Sequence, residues 1–219
     1  MNNNNRRFQP NTQTNPNTLS TTSNNSLCQA ESLCHDSRSS TCSKVVVSVS
    51  QAFAQSKSGR LFQATTEPIP VIGSNNAIIQ LCNPCSCNTT VYLSSVISAN
   101  HSPSPISIKT FFHGTVKQEL LKTIPSGNTN MYVDCSCRSR ACLQCGTRIE
   151  ICNGLLVSNV VVNGYDSFTT KIDGTIILSP DCSIIYELCS VNCSQTALAS
   201  VTISWWEVPN CEELIRCCL

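Results

Sequence analysis

The pattern of apolar and polar positions predicts strands along most of the chain. From Lys44 onward, short runs rich in Val, Ile, Thr and aromatic residues, several alternating with polar residues, are separated by breaks containing Gly, Pro or Asn. Runs of this length and composition are typical of β-strands. The predicted strands span residues 44–54, 77–82, 89–97, 106–112, 116–124, 129–135, 147–152, 155–163, 174–178, 184–189 and 196–208. Turn signals lie at residues 102–105, 125–127, 153–154, 163–164 and 173–174.

Little helix is predicted between these strands, which favours a single all-β domain, a β-sandwich or jelly roll. A β-rich fold of another topology is the alternative. The last run, 196–208, alternates cleanly as far as Trp205 and Trp206. Successive strand residues point to opposite faces, so we expect one Trp to face the core and the other to face outward.

Composition divides the chain into three parts. Residues 1–27 are rich in Asn, Thr, Ser and Gln and contain no acidic residue, a composition that cannot bury enough apolar area to order a chain. We predict a flexible leader and cysteine-bearing N-terminal connector at 1–43, the sandwich at 44–209, and a short C-terminal tail at 210–219. In the tail, Asn210 followed by Glu213 resembles a capping box and predicts a short helix.

The low charge and the positions of the histidines argue against nucleic-acid binding, membrane association and catalysis. Charged residues make up 12% of the chain and the net charge is +1, which gives no electrostatic footprint for nucleic acid or an anionic membrane. We expect neither a secretion signal nor a membrane span, because the start lacks an apolar core and no long apolar run follows. His35, His101 and His113 fall in an arm, a loop and a turn without a recognisable catalytic pattern. We therefore expect no catalytic residues and no enzymatic activity.

Cysteine is the exceptional residue, with 17 among 219 positions. This density marks either an oxidised framework or a metal-loaded protein, and the odd number leaves at least one thiol free, metal-bound or joined to another molecule. Cys135, Cys137, Cys142 and Cys145 lie within eleven residues and could supply a tetrahedral zinc site. Their spacing is less regular than that of two Cys-x-x-Cys knuckles. Zinc is therefore the alternative, and the main expectation is no cofactor.

A disulfide framework accounts for more of the cysteines, because they occur at strand ends throughout the body as well as in both terminal segments. The intrachain disulfide candidates are Cys82, Cys85, Cys87, Cys135, Cys137, Cys142, Cys145, Cys152, Cys182, Cys189, Cys193 and Cys211. The blocks at 82–87 and 135–145 each contain a Cys-Ser-Cys beside a Cys-x-x-Cys. Both lie at predicted strand ends, so they could be close in space at one end of the sandwich.

The terminal cysteines are candidates for bonds between subunits. Cys217 and Cys218 are adjacent and could bond each other only through a strained ring, so at least one partner could belong to another subunit. One intrachain bridge plus one free thiol is the alternative for this pair. At the other end, the arm that carries Cys28, Cys34 and Cys42 can also reach a neighbour.

A sparsely charged β-sandwich behind a cysteine-bearing arm resembles the subunits of endospore appendages, the Ena fibres of Bacillus-type bacteria. The likeness is carried by residues 104–114, Ser-Pro-Ile-Ser-Ile-Lys-Thr-Phe-Phe-His-Gly, in which a strand ends in aromatic residues before a Gly turn. It continues through the strand at 116–124, the turn at 126–129 and the residues Met131-Tyr-Val133, about 30 residues in all.

The resemblance implies a jelly-roll subunit that stacks by β-sheet augmentation while its N-terminal connector makes disulfides to earlier subunits. It assigns that connector role to Cys28, Cys34 and Cys42. It also implies an extracellular location on the spore surface, after synthesis in a mother cell without a signal peptide. This chain differs in having many more cysteines and a vicinal pair at its C-terminus, which leaves room for another spore-coat protein or a related fibre.

We therefore expect a structural, self-assembling subunit of a disulfide-crosslinked fibre or spore-surface layer. Its partners would be copies of itself and related fibre or spore-coat subunits, not nucleic acid or membrane. The alternatives are a cysteine-rich zinc-binding module and an adhesive sandwich at the tip or base of an assembly.

Overall fold

The computed structural model describes residues 48–117, 121–132, 138–192 and 194–210. Within these ranges the chain forms one α-helix and thirteen β-strands. They are α1 (Gln51–Lys57), β1 (Leu61–Thr65), β2 (Ile69–Ile72), β3 (Ala77–Asn83), β4 (Thr89–Asn100), β5 (Ile106–Phe112), β6 (Lys122–Ile124), β7 (Gly127–Asn128), β8 (Cys142–Thr147), β9 (Leu155–Val162), β10 (Ser167–Lys171), β11 (Ile177–Leu178), β12 (Cys182–Ser190) and β13 (Thr196–Pro209). No helix in this part of the chain is long and apolar enough to cross a membrane.

The strands form two antiparallel sheets. Sheet A has the order β10-β4-β13-β1-β7, with β11 also paired to β4 and β2 to β13. Sheet B has the order β6-β8-β3-β12-β5-β9. The prediction of an all-β sandwich is confirmed.

The main core lies between the two sheets. It contains the fully buried Leu93 and Trp205 of sheet A together with Ile79 and Leu188 of sheet B. A smaller cluster, Ile78 with Ile149 and Ile185, lies on the other face of sheet B. Both faces of β3 are therefore buried, which explains its nearly continuous apolar sequence.

A helix replaces part of the first predicted strand. Residues 51–54 belong to α1, while residues 44–47 lie outside the described ranges. The side chain of Ser50 accepts a hydrogen bond from the Phe53 N–H at 3.2 Å, as an N-cap residue does. Ala52 and Ala54 favour helix. The strand was predicted from the Val-rich start of the run. In the structure, the Ser50 cap and the helix-favouring residues after it form a helix instead.

The strand predicted at 147–152 is displaced along the chain. Strand β8 instead ends at Thr147. Arg148 has φ of +60°, a left-handed conformation that extended strands do not contain. In the rest of the predicted run, residues 149–152, only Cys152 forms a β-bridge, a single one with Thr115.

A turn stands where a strand was predicted to begin at residue 129. The side chains of Asn128 and Asn130 accept hydrogen bonds from the N–H groups of Asn130 and Tyr132, at 2.9 and 3.0 Å. Asn side chains that bond their own backbone two residues on form such turns. The rest of that predicted strand, 133–135, lies outside the described ranges.

Further strands have other bounds than predicted, and four strands were not predicted. Of the predicted strand 116–124, only Lys122–Ile124 is extended, and residues 118–120 lie outside the described ranges. Strands β1, β2, β7 and β10 were not predicted. The predicted leader at 1–43 and nearly all of the predicted tail, residues 211–219, are also outside the described ranges.

The two adjacent tryptophans are both buried. Trp205 lies in the core, with its ring centroid 6.4 Å from that of Phe62. Trp206 is only 3% exposed. It stacks on Tyr92 at 5.6 Å, and Gly174 lies against its ring. Trp205 therefore faces the core and Trp206 the opposite face of sheet A, as the alternation predicts, but a turn after β10 covers the second ring.

Candidate functional site

Sheet B brings several predicted disulfide candidates together at one end. Strands β3 and β8 pair so that Cys82 lies directly opposite Cys142. The Cys82 thiol donates a hydrogen bond to the Cys142 carbonyl at 3.4 Å. On the other side of β3, Cys182 of β12 lies opposite Asn83. We call this region the cysteine end, formed by Cys82, Cys85, Cys87, Cys142 and Cys182.

The turn after β3 adds a further thiol beside the pair. The Cys87 N–H donates to the Pro84 carbonyl at 3.0 Å, which closes a tight turn. The Cys87 thiol then lies 3.6 Å from the Arg140 carbonyl oxygen. The Cys142 thiol lies 4.0 Å from that same oxygen. The two thiols therefore approach one backbone acceptor from two segments of the chain.

A groove of about 720 Å³ opens over the cysteine end. Four thiols line it, those of Cys82, Cys85, Cys142 and Cys182. Cys85 is exposed and the other three are partly buried, and all four are free thiols in this structure. Small reagents in solution can therefore reach the cysteine end.

A buried carboxylate fixes the backbone that carries the shared acceptor. One Glu207 oxygen accepts from Ser139 Oγ at 2.6 Å and from the Ala141 N–H at 3.0 Å, and the other accepts from the Arg140 N–H at 3.0 Å. Trp205 Nε1 also donates to Glu207, at 3.1 Å. These donors satisfy the buried carboxylate and tie the segment before β8 to β13 of the other sheet.

The local environment suppresses ionisation of one thiol. Burial, followed by the neighbouring Cys142, raises the pKa of Cys82 from 9.0 to about 11. At neutral pH Cys82 is therefore a protonated thiol rather than a thiolate, which is the nucleophilic and metal-binding form. Burial likewise raises the pKa of Cys145.

The zinc alternative meets a geometric obstacle. Cys142 and Cys145 are three residues apart on one strand, so they point to opposite faces of sheet B. Cys142 lies opposite Cys82, whereas Cys145 lies opposite Ile79 and packs against the core. These two side chains cannot hold one ion while β8 is extended. Among the described residues, no three His, Cys, Asp or Glu side chains form a group that could hold a metal ion.

The remaining predicted site residues are dispersed or outside the described ranges. Cys152 is exposed, and Cys189 lies 4.0 Å from Lys109 Nζ on the outer face of sheet B. His101 hydrogen-bonds Ser200 at 2.8 Å, and His113 lines the groove over the cysteine end. Those outside the described ranges are His35, Cys28, Cys34, Cys42, Cys135, Cys137, Cys193, Cys211, Cys217 and Cys218.

A second feature is the edge of sheet B formed by β9. This eight-residue strand pairs only with β5 among the described strands, so its other side is an open edge. Several of its apolar side chains are exposed, Leu155 by 61%, Leu156 by 50% and Val161 by 56%, whereas Val162 is buried in the core. No charged residue occurs anywhere in residues 151–164.

Two more exposed aromatic side chains follow β9 along the chain. Tyr165 lies in the connection to β10, and Phe168 lies on β10, the edge strand of sheet A. Both are exposed. We call this surface the open flank, formed by Leu155, Leu156, Val157, Val161, Tyr165 and Phe168. The sequence predicted β9 as a strand but not its position at an edge, and its lack of charge was the only available signal.

The opposite edges of the two sheets have a different character. Strand β6 ends sheet B after three residues, of which Lys122 and Thr123 are exposed. Strand β7 ends the path of sheet A after two residues. Short edges and edge lysines are common ways in which proteins prevent sheet-to-sheet association. Strand β9 is longer, with eight residues, and contains no lysine.

Comparison with known proteins adds a family. The model of a family of unknown function, DUF6143, matches residues 31–212. The chain belongs to DUF6143. The DUF6143 match contains both the cysteine end and the open flank, and it includes Cys34 and Cys42 of the predicted connector. No curated protein and no solved structure matches the chain.

Proposed function

We propose that this chain is a non-enzymatic structural subunit that assembles with copies of itself by β-augmentation through β9. The observation that supports this proposal is the open flank. A long, uncharged edge strand with exposed apolar side chains is a liability in a protein that stays monomeric, and it is the surface through which strands add to a sheet.

The local form of β9 leaves room for such pairing. The register with β5 shifts between Thr110 and Phe111, which makes a bulge in β9 at Val157. Bulges can twist an edge away from partners, but this one lies near the start of the strand. From Ser158 to Val162 the pairing with β5 is regular. That stretch presents alternate backbone N–H and C=O groups outward.

The strand order of sheet B supports head-to-tail stacking. Its six strands alternate in direction, so the two edge strands β6 and β9 run in opposite directions. A second copy in the same orientation would bring its β6 antiparallel to β9 and continue the alternation of the sheet, although β6 has only three residues and carries Lys122, so this contact would engage only part of β9. A contact between two different surfaces that does not close produces a filament. Pairing of two β9 strands about a twofold axis would stop at a dimer.

The proposed product is an extracellular, pilus-like fibre or layer on a spore surface, in which backbone hydrogen bonds supply the contact and disulfides make it permanent. The lack of charge in β9 supports a contact made by backbone pairing and apolar side chains rather than by ion pairs. The crosslinking role falls to Cys28, Cys34, Cys42, Cys217 and Cys218. That role and the location rest on the sequence resemblance.

Particle size tests this function when measured by light scattering on the full-length chain with reductant present. We expect large assemblies for the wild type and monomers for Val161→Lys, which places a charge on the open flank. Ile72→Lys is the matched control, because Ile72 is 48% exposed on β2 and lies outside the flank. It should assemble as the wild type does.

Two results would refute the proposal. One is a wild-type chain that remains monomeric at every concentration tested, which would fit a flank covered by another segment of the same chain. The other is a Val161→Lys chain that assembles as well as the wild type. Circular dichroism of each variant confirms that the sandwich has folded.

A further inference from the structure

The thiols of Cys82 and Cys142 have no role in the proposed assembly through β9. They face each other across two adjacent strands on the same side of sheet B. Residues directly opposite in an antiparallel pair have Cα atoms about 4.5 or 5.5 Å apart, and disulfides accept Cα separations of about 4.4 to 6.8 Å. Strand pairing therefore sets the two Cα atoms at a separation that a disulfide accepts.

We propose that Cys82 and Cys142 are a redox pair that forms a cross-strand disulfide by exchange with a low-molecular-weight disulfide such as oxidised glutathione. The bond would join β3 to β8 within one chain. It is independent of whether the chain assembles through the open flank.

The surrounding geometry selects this pair among the neighbouring thiols. Cys145 is on the same strand as Cys142 but lies opposite Ile79, on the core face. Cys87 reaches the same Arg140 carbonyl as Cys142 from a turn, with no strand register to hold the two together. Cys85 is exposed in that turn. Among the cysteines that the structure describes, only Cys82 is fixed opposite Cys142 by strand pairing.

The exchange proceeds in two balanced steps. The Cys142 thiolate attacks one sulfur of the small disulfide, a Cys142–SR bond forms, and the first RS⁻ leaves. Cys82 then gives its proton to water and attacks the Cys142 sulfur, and the second RS⁻ leaves. Overall, two protein thiols are oxidised to one disulfide, and one RSSR is reduced to two RSH.

The environment supports this order of events. The groove of about 720 Å³ gives a small disulfide access to the pair. The pKa of Cys82 is raised to about 11, so Cys82 holds its proton in the free chain and is the slower thiol to react with a reagent in solution. Once Cys142 carries the small thiol, Cys82 is the thiol that strand pairing holds opposite it.

Peptide mapping identifies the bond. The reduced full-length chain is incubated with oxidised glutathione, blocked with N-ethylmaleimide and separated on a non-reducing gel, and the monomer band is digested with trypsin. Residues 61–109 carry Cys82, Cys85 and Cys87, and residues 141–148 carry Cys142 and Cys145. A Cys145→Ser background, or Cys145→Ala if that folds better, leaves Cys142 as the only thiol of the second peptide.

We expect these two peptides to be linked in the Cys145 variant, to stay linked when Cys85→Ser or Cys87→Ser is added, and to separate when Cys82→Ser is added. Three results would overturn the proposal. They are no linked peptide at all, a link that survives Cys82→Ser, and a link that Cys87→Ser abolishes.

Discussion

Cys82 and Cys142 lie opposite each other on β3 and β8, with the Cys82 thiol 3.4 Å from the Cys142 carbonyl oxygen. The residues are 60 positions apart in sequence, so a bond between them would close a long loop of the unfolded chain. Closing a loop of that length contributes about 4 kcal/mol in the chain-entropy model, or about 10 °C in Tm for a domain of this size.

Thermal unfolding of the oxidised and reduced chains measures this effect. We expect oxidation by glutathione to raise the Tm of the wild type, and to raise that of Cys82→Ser by a clearly smaller amount. The variant controls for bonds made by the other cysteines. Equal increases in the two chains would mean that the strand pair contributes nothing to the gain.

The raised pKa of Cys82 predicts a pH dependence in the reduced chain. Between pH 9 and about 11, the unfolded chain has lost the Cys82 proton while the folded chain retains it. The resulting contribution to the free energy of unfolding is fully present below pH 9 and is lost as pH rises through about 11. Urea denaturation under reductant should therefore show stability falling over this interval, and falling less in Cys82→Ser.

Two other groups with raised pKa values, Cys145 and Tyr186, do not disturb this comparison of the two chains. Burial raises the pKa of each of them, but both titrate in the wild type and in the variant. The difference between the two chains therefore isolates Cys82. Identical pH profiles would show that its ionisation is not linked to folding.

Glu207→Gln tests the carboxylate that anchors the segment before β8. Glutamine can keep an oxygen where Oε1 accepts from Ser139, Ala141 and Trp205, but it then turns its NH₂ group toward the Arg140 N–H. Disturbing a buried donor costs about 1–3 kcal/mol, so we expect a loss of about 1–3 kcal/mol in the free energy of unfolding by urea. Glu150→Gln, at an exposed position, is the control and should change little. A variant as stable as the wild type would show that the carboxylate is dispensable.

Gly174→Ala tests the cover over Trp206. Gly174 has φ of +80°, and a Cβ there would lie 2.5 Å from the indole ring. We expect a loss of about 1–3 kcal/mol and a change in Trp fluorescence as the ring shifts. Gly127→Ala is the matched control, because a Cβ at Gly127 would meet nothing within 4 Å. If both variants unfold at the same urea concentration, the contact is not tight.

Sequence pattern identified the fold class because many strands alternate cleanly. Strand β5 at Ile106–Phe112 has the bounds predicted for it. Strand β1 was missed because its sequence, Leu-Phe-Gln-Ala-Thr, is not the Val- and Ile-rich run by which the other strands were recognised. Trp206 is buried because a turn from another part of the chain covers it, and the sequence around Trp206 does not predict that contact.

The candidate site was only partly predictable for the same reason. The two cysteine blocks were expected at one end of the sandwich, and the structure places Cys82 and Cys87 beside Cys142. The register that sets Cys82 against Cys142 depends on pairing between distant strands. Likewise, β9 was predicted as a strand, but its position at an edge follows from the order of the whole sheet.

Assembly through β9 is the central claim, and hydrogen–deuterium exchange tests it most directly. In an antiparallel edge strand about half of the N–H groups point away from the sheet and are open to solvent until another strand pairs with them. We expect the peptide containing residues 155–162 to exchange more slowly in the assembled wild type than in monomeric Val161→Lys, with the peptide containing Ile72 unchanged. Equally fast exchange of residues 155–162 in both samples would contradict the account.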